Sequence, residues 1–263
     1  MSSIETSVGT IGIVVAGREL HATPILFLHG VGSDKSVWAP QLDKFGRTRP
    51  ALAIDFPGYG DSAARPHSTR DDFARAALAA LDSLGIERAH ICGLSLGGVV
   101  ALALNGVAPD RCASLILADT FAVHPDGAAI YKRGADASRA APMRALAEAR
   151  APALLGEQAR GDAALVAGVI ETMAAIDPAA YRQGAEAVWL ADQRERAAAV
   201  AVPTLVIVGS EDMITPPALS HRLAQLIAGA QLVEIAGAGH LANFEAPRLF
   251  NQAVQQFLTK IDP

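Results

Sequence analysis

A chain of 263 residues with 51% hydrophobic and 19% charged residues can bury a full core without staples, and this composition excludes intrinsic disorder. A net charge of −5 lacks the basic footprint that nucleic-acid binding requires. The only two cysteines, Cys92 and Cys112, make neither a disulfide framework nor a metal-spaced cluster, so both are read as reduced thiols, with Cys92 in the core.

The N-terminal stretch shows no cationic start followed by a long apolar core, so no secretory signal is expected. No uninterrupted apolar run reaches the roughly 18 residues of a membrane span. A cytoplasmic location with no membrane partner is the resulting expectation.

In chain order, short apolar runs end at turn residues: Pro24 to Leu28 before His29-Gly30, Ala51 to Ile54 before Asp55, and Ala89 to Cys92 before Gly93. Ser114 to Ala118 stops at Asp119, Thr204 to Val208 at Gly209, and Gln231 to Ile235 at Ala236-Gly237. Such runs predict strands buried on both faces, the pattern of a parallel sheet. Between them, Ser68 or Thr69 caps a predicted helix with Asp71 and Asp72 in its first turn. Phe73, Ala77, Ala80, Leu81 and Leu84 form its apolar stripe, and Gly85 ends it. Phe250, Val254, Phe257 and Leu258 mark a last helix. Strand–helix alternation predicts a doubly wound α/β fold.

Residues 123–200 break the rhythm. They are rich in Ala and Arg, offer no convincing strand, and read as short helices punctuated by Pro142, Pro152, Gly161 and Pro178. The predicted organisation is a core of residues 1–122 and 201–263 with a helical insertion between two of its strands.

Gly93-Leu94-Ser95-Leu96-Gly97 matches G-x-S-x-G, the nucleophile-elbow pattern. A predicted strand precedes it and a helix-like segment, Leu96 to Val107, follows. Side chains at positions 93 and 97 would crowd a strained turn, which explains glycine at both. A serine hydroxyl needs a base to take its proton. Of seven histidines, His240 is the candidate, because Gly237-Ala238-Gly239-His240 follows the last predicted strand, where sites assemble in open α/β sheets. His21, His67, His124 and His221 lack such a setting, and His90 is expected to pack within its strand. Asp212, after the strand preceding the His240 loop, is favoured as the orienting carboxylate. Asp119 is the alternative, otherwise a turn residue, and Glu211 is expected to be solvated. Backbone N–H groups of Leu96 and Val31 can hold an oxyanion. The loop His29-Gly30-Val31-Gly32 lets backbone approach substrate closely.

These residues together resemble the α/β-hydrolase superfamily over essentially the whole chain. The matching pieces are Leu28 to Gly32 with Trp38, Asp55 to Ser62, Gly93 to Gly98, Gly209 to Asp212, and Gly239-His240. The resemblance implies an α/β-hydrolase fold with a helical cap, structural roles for Asp55 to Ser62 and packing for Trp38. Within the superfamily, Leu84 to Gly98 and Gly239 to Glu245 look like 3-oxoadipate enol-lactonases. The match departs at His29-Gly30, where those enzymes carry a serine-containing stretch. The implied activity is therefore hydrolysis of a small-molecule carboxylic ester or lactone through an acyl-enzyme on Ser95. A carbon–carbon bond hydrolase, a cofactor-free perhydrolase and a slow-turnover hydrolase-fold receptor carry the same triad. No metal or cofactor is expected, since neither a ligand cluster nor a dinucleotide fingerprint appears. The expected partner is a small-molecule substrate, and a homo-oligomer stays open. Trp189, Arg133, Arg139 and Arg144 are candidates for touching substrate from the insertion, though a surface or packing role is the favoured reading of each.

Overall fold

The computed structural model describes residues 2–262. Eight strands form one sheet: β1 (Ser3–Thr6), β2 (Gly9–Ala16), β3 (Ile25–Leu28), β4 (Ala51–Ile54), β5 (Ala89–Leu94), β6 (Cys112–Ala118), β7 (Thr204–Gly209) and β8 (Gln231–Ile235). Their spatial order is β1-β2-β4-β3-β5-β6-β7-β8. From β4 to β8 every neighbouring pair is parallel, while β2 runs antiparallel to both β4 and β1. The central strands β3 to β7 are buried at every position but one, as their unbroken apolar runs require.

Two departures from the sequence reading lie at the sheet edges. The β1–β2 hairpin was not anticipated. Its outer strand is only half-buried, and a four-residue edge strand with one wet face carries little apolar pattern. The opposite edge, β8, was expected to be buried on both faces, but Gln231 and Glu234 are exposed because no strand lies beyond it.

Helices flank the sheet: α1 (Ala39–Phe45), α2 (Arg70–Ser83), α3 (Leu96–Val107), α10 (Pro217–Leu226), α11 (Ala242–Glu245) and α12 (Pro247–Ile261). Six more stand between β6 and β7: α4 (Gly127–Ala140), α5 (Met143–Leu154), α6 (Glu157–Arg160), α7 (Ala163–Ala174), α8 (Pro178–Trp189) and α9 (Arg194–Ala198). Thr69 caps α2 through a reciprocal box with Asp72, and Gly85 follows the helix at φ +68°. Pro152, expected to punctuate the insertion, instead lies inside the last turn of α5, and the helix ends two residues later at Leu154. No single helix among the described residues is long and apolar enough to cross a membrane.

The core is split by the sheet into two apolar layers. On one side Trp38 stacks on Phe27 with ring centroids 4.9 Å apart and meets Phe250 at 6.0 Å, the packing role its sequence setting implied. His90 is buried in β5 as expected, and it also bonds Ser114 Oγ (2.8 Å) and Asp262 (3.0 Å), pinning the end of the chain to the sheet. Trp38→Ala should lower unfolding free energy by about 3–5 kcal/mol, measured by denaturant titration, because a fully buried indole leaves a cavity its neighbours cannot fill.

Candidate active site

Ser95 occupies the single residue between β5 and α3, at φ +53° and ψ −111°. A non-glycine residue rarely adopts this conformation, which costs about 1–3 kcal/mol. Three hydrogen bonds hold the turn. Ser95 N–H donates to Ala118 O (2.9 Å), and Ser95 O accepts from Thr120 Oγ1 (2.8 Å) and from Gly98 N–H (3.0 Å). The flanking glycines answer a steric demand. A Cβ on Gly93 would sit on the Gly97 backbone, and one on Gly97 on the Leu28 carbonyl, both inside 3.0 Å. Gly97→Ala is expected to destabilise the fold by about 3 kcal/mol or more, or to prevent folding, because backbone rather than a flexible side chain must yield. Thermal melting of the purified variant reads this directly.

His240 follows β8 in the loop that the sequence pointed to. Its N–H donates to Leu154 O (2.9 Å) at the end of α5, so the insertion and the loop are joined. Its Nδ1 lies 2.8 Å from Asp212 Oδ2. Asp212 is buried, and both of its carboxyl oxygens are filled. Ile214 N–H (2.7 Å) and Thr215 N–H (2.9 Å) donate to Oδ1, and Thr215 Oγ1 (2.6 Å) donates to Oδ2. A carboxylate saturated in this way accepts the His240 Nδ1–H, leaving Nε2 bare and able to take a proton. No hydrogen bond links Nε2 to Ser95 Oγ, although both groups line one small cavity of about 20 Å³. Such bonds are often loose in unliganded enzymes.

Glu245 fixes the loop around the histidine. Its Oε1 accepts from Gly239 N–H (2.8 Å) and Leu241 N–H (3.2 Å), and its Oε2 from Gly156 N–H (2.8 Å). Burial raises its pKa against these donors. Thr215 and Glu245 were both missed as site residues. Thr215 had a readable signal in the Asp-x-x-Thr spacing, which suits a turn closed by a carboxylate. Glu245 ends the Gly239 to Glu245 stretch noted in the sequence, but its bond to Gly156 is made only by folding.

Asp119 ends β6, also buried, at φ +47°. Its Oδ1 accepts from Gly209 N–H (2.8 Å) at the end of β7, and Oδ2 has no partner. It makes no hydrogen bond to His240. Burial first, and the Asp212 charge second, push its carboxyl well above the ordinary carboxylate range. Glu211, expected to be solvated, instead accepts from Glu157 N–H (2.6 Å) and ties the Asp212 loop to α6.

The glycine loop after β3 lies beside Ser95. Gly30, Val31 and Gly32 all line the cavity, and neither Val31 N–H nor Leu96 N–H has a partner among the described residues. Leu96 opens α3, where backbone donors and the helix dipole favour negative charge. His29 sets this loop. Phe56 N–H donates to its Nε2 (3.0 Å), so Nδ1 carries the proton and donates to Gly30 O (2.8 Å). Burial, opposed by Asp55, keeps the ring below the ordinary imidazole pKa and neutral. A Cβ on Gly30 would meet Ser95 Cβ at 3.5 Å, ordinary contact, so this glycine keeps space open rather than relieving strain.

From the insertion, Trp189, Leu154, Met173 and Arg150 line the cavity. Trp189 was anticipated. Arg139 and Arg144 are not there, because exposed carboxylates hold them: Asp136 at 3.5 Å and Glu171 at 2.7 Å. Arg133 does not line it either. Of the incidental histidines, His221 pairs with Glu234 at the sheet edge, and His124 packs edge-on against Trp189. A wider depression of about 730 Å³ beside α2 and α9 lies apart from Ser95 and His240, and four of its six charged side chains are paired, Asp71 with Arg196 and Asp192 with Arg194.

Comparison with known proteins agrees with this fold. The model of the alpha/beta hydrolase family matches residues 25–253, and the chain belongs to that family. It is 29% identical to a 3-oxoadipate enol-lactonase of Acinetobacter baylyi, over 96% of this chain and 94% of that one. It is 32% identical to a 2-hydroxymuconate semialdehyde hydrolase of Pseudomonas putida, over 91% and 88%. The crystal structure of an enol-lactonase from Burkholderia xenovorans LB400 superposes with a TM-score of 0.92 at 31% identity, covering 98% of this chain and 99% of that one. The protein is a hydrolase.

Mutating each acid separates their roles. Asp119→Asn, which keeps an acceptor for Gly209 N–H and alters a side chain that makes no bond to His240, is expected to keep kcat/KM within about threefold, whereas Asp212→Asn should lose about 10³–10⁴-fold in kcat by offering His240 the wrong tautomer. Steady-state kinetics on one ester substrate compares them.

Proposed function

We propose that this hydrolase cleaves a small-molecule carboxylic ester or lactone through an acyl-enzyme on Ser95. The observation that carries the reading is the His240–Asp212 pair, in which a saturated buried carboxylate takes up Nδ1 of the imidazole while His240 and Ser95 line one cavity. In the first half-reaction Ser95 Oγ attacks the carbonyl carbon and its proton passes to His240 Nε2. The oxyanion is held by the Val31 and Leu96 N–H groups, and collapse expels the alcohol oxygen, which takes the proton from His240. For a lactone the leaving oxygen stays tethered to the acyl chain. In the second half, His240 takes a proton from water, the hydroxide attacks the acyl carbon, and Ser95 leaves reprotonated with the acid released. Asp212 keeps its bond to His240 Nδ1 and stabilises the imidazolium throughout.

Residues 123–200 act in this reading as a cap over the core. The support is that α5, α7 and α8 each send a side chain into the cavity and that Leu154 O binds the His240 loop. A closed cap excludes water and strengthens charge interactions inside. The relatives named as enol-lactonases favour lactone or ester cleavage. The relative named 2-hydroxymuconate semialdehyde hydrolase favours a second reading, carbon–carbon bond hydrolysis by the same residues.

Assaying short-chain esters, enol-lactones and ring-cleavage diketones separates the two. Turnover of esters or lactones in preference to diketones is the expected outcome, and exclusive turnover of diketones would establish the second reading. Ser95→Ala is expected to lower kcat on the preferred substrate by about 10⁵–10⁶-fold with melting temperature nearly unchanged.

A further inference from the structure

Arg150 is the single cation in the cavity wall, and it has no counter-ion. It stands on α5 one turn before Leu154, so both side chains reach the cavity from the same helix face. No carboxylate lines this cavity, and Arg150 makes no hydrogen bond or ion pair among the described residues. The contrast within the same helix is informative. Arg144 is fully exposed to solvent on its other side and is nevertheless held by two bonds to Glu171, at 2.9 and 2.7 Å. Arg150 is half-buried, where a missing partner costs more.

The surroundings say what would complete it. The remaining walls are largely apolar, including Leu94, Leu154, Met173 and Ile214. A guanidinium in such a wall binds a planar anion more strongly than it would in water, and its donor fork matches both oxygens of a carboxylate. We infer that Arg150 selects substrates carrying a free carboxylate in addition to the ester or lactone carbonyl that Ser95 attacks. The inference rests on the serine-hydrolase reading above and narrows it to acidic esters or lactones.

The space available constrains the rest of the molecule. The cavity of about 20 Å³ admits little more than a water, so a substrate must be compact or the cavity must widen around it. A second cavity of about 90 Å³ adjoins it, sharing Gly32, Ser33 and Leu241, and can take an apolar segment. A compact substrate with its anionic end at Arg150 and its short apolar end toward Phe244 fits both.

Monomethyl and dimethyl glutarate share a carbon chain and differ in one charge. Wild-type enzyme is expected to prefer the monomethyl ester in kcat/KM. Arg150→Gln should lose about 10–100-fold on that ester and less than about threefold on the dimethyl ester, with Arg150→Lys recovering part of the loss. Equal losses on both esters would make Arg150 a packing residue and overturn the inference. Binding gives a readout free of catalysis: in Ser95→Ala, monomethyl glutarate should change the fluorescence of Trp189, one of two tryptophans, saturably. Adding Arg150→Gln should abolish that change. Were Ser95 not the nucleophile, wild type would hydrolyse neither ester in a Ser95-dependent way, yet Arg150-dependent binding would persist. No binding to Ser95→Ala, or binding that survives Arg150→Gln, would overturn the role of Arg150 itself.

Discussion

The strained turn at Ser95 is the constraint around which the other parts are arranged. A serine at φ +53° stays in place only because β5, β6 and α3 over-determine it. Ala118 O and Thr120 Oγ1 bolt it from the neighbouring strand end, and Gly97 lets α3 press against Leu28 so closely that no Cβ fits. The strain thus draws on the packing of the central sheet, and it lifts one hydroxyl above the sheet beside a helix N-terminus. A relaxed turn would bury or redirect that hydroxyl.

The second half of the site is built on a different principle, saturation. Asp212 accepts from four donors and Glu245 from three, so each loop carrying a functional group is closed by its own buried carboxyl. His29 does the same for the glycine loop, as a neutral ring bridging Phe56 and Gly30. Three loops from three strands are therefore rigid before any substrate arrives, and rigidity of this kind is what lets donors and a base act without reorganising. Asp119 lies within this network as a brace for the end of β7. Two buried carboxyls near one another divide the work, one bonded to the imidazole and one to a strand end.

Much of this was legible in the amino-acid sequence, for identifiable reasons. The Gly93 to Gly97 motif, the glycine-flanked His240 and the runs of β3 to β7 are local patterns, and local patterns survive in one dimension. α3 begins and ends where its apolar segment does. What escaped was produced by convergence. Glu245 meets Gly156 across 89 positions, and Arg150 lines the cavity only because the insertion folds back beside Ser95. Arg139 and Arg144, plausible by composition, are neutralised by carboxylates that the sequence does not mark as partners. The β1–β2 hairpin lacked the apolar run that makes a strand readable, and β8, read at its observed bounds, lacks only the two-faced burial expected of it.

The measurement that bears most directly on the account is covalent labelling by a fluorophosphonate, followed by intact-mass and peptide mass spectrometry. One adduct per chain, on Ser95, is predicted near neutral pH, and its rate should collapse in His240→Ala while the fold persists. A stable, folded protein that takes no label, takes it on another residue, or labels as fast without His240 would contradict the account.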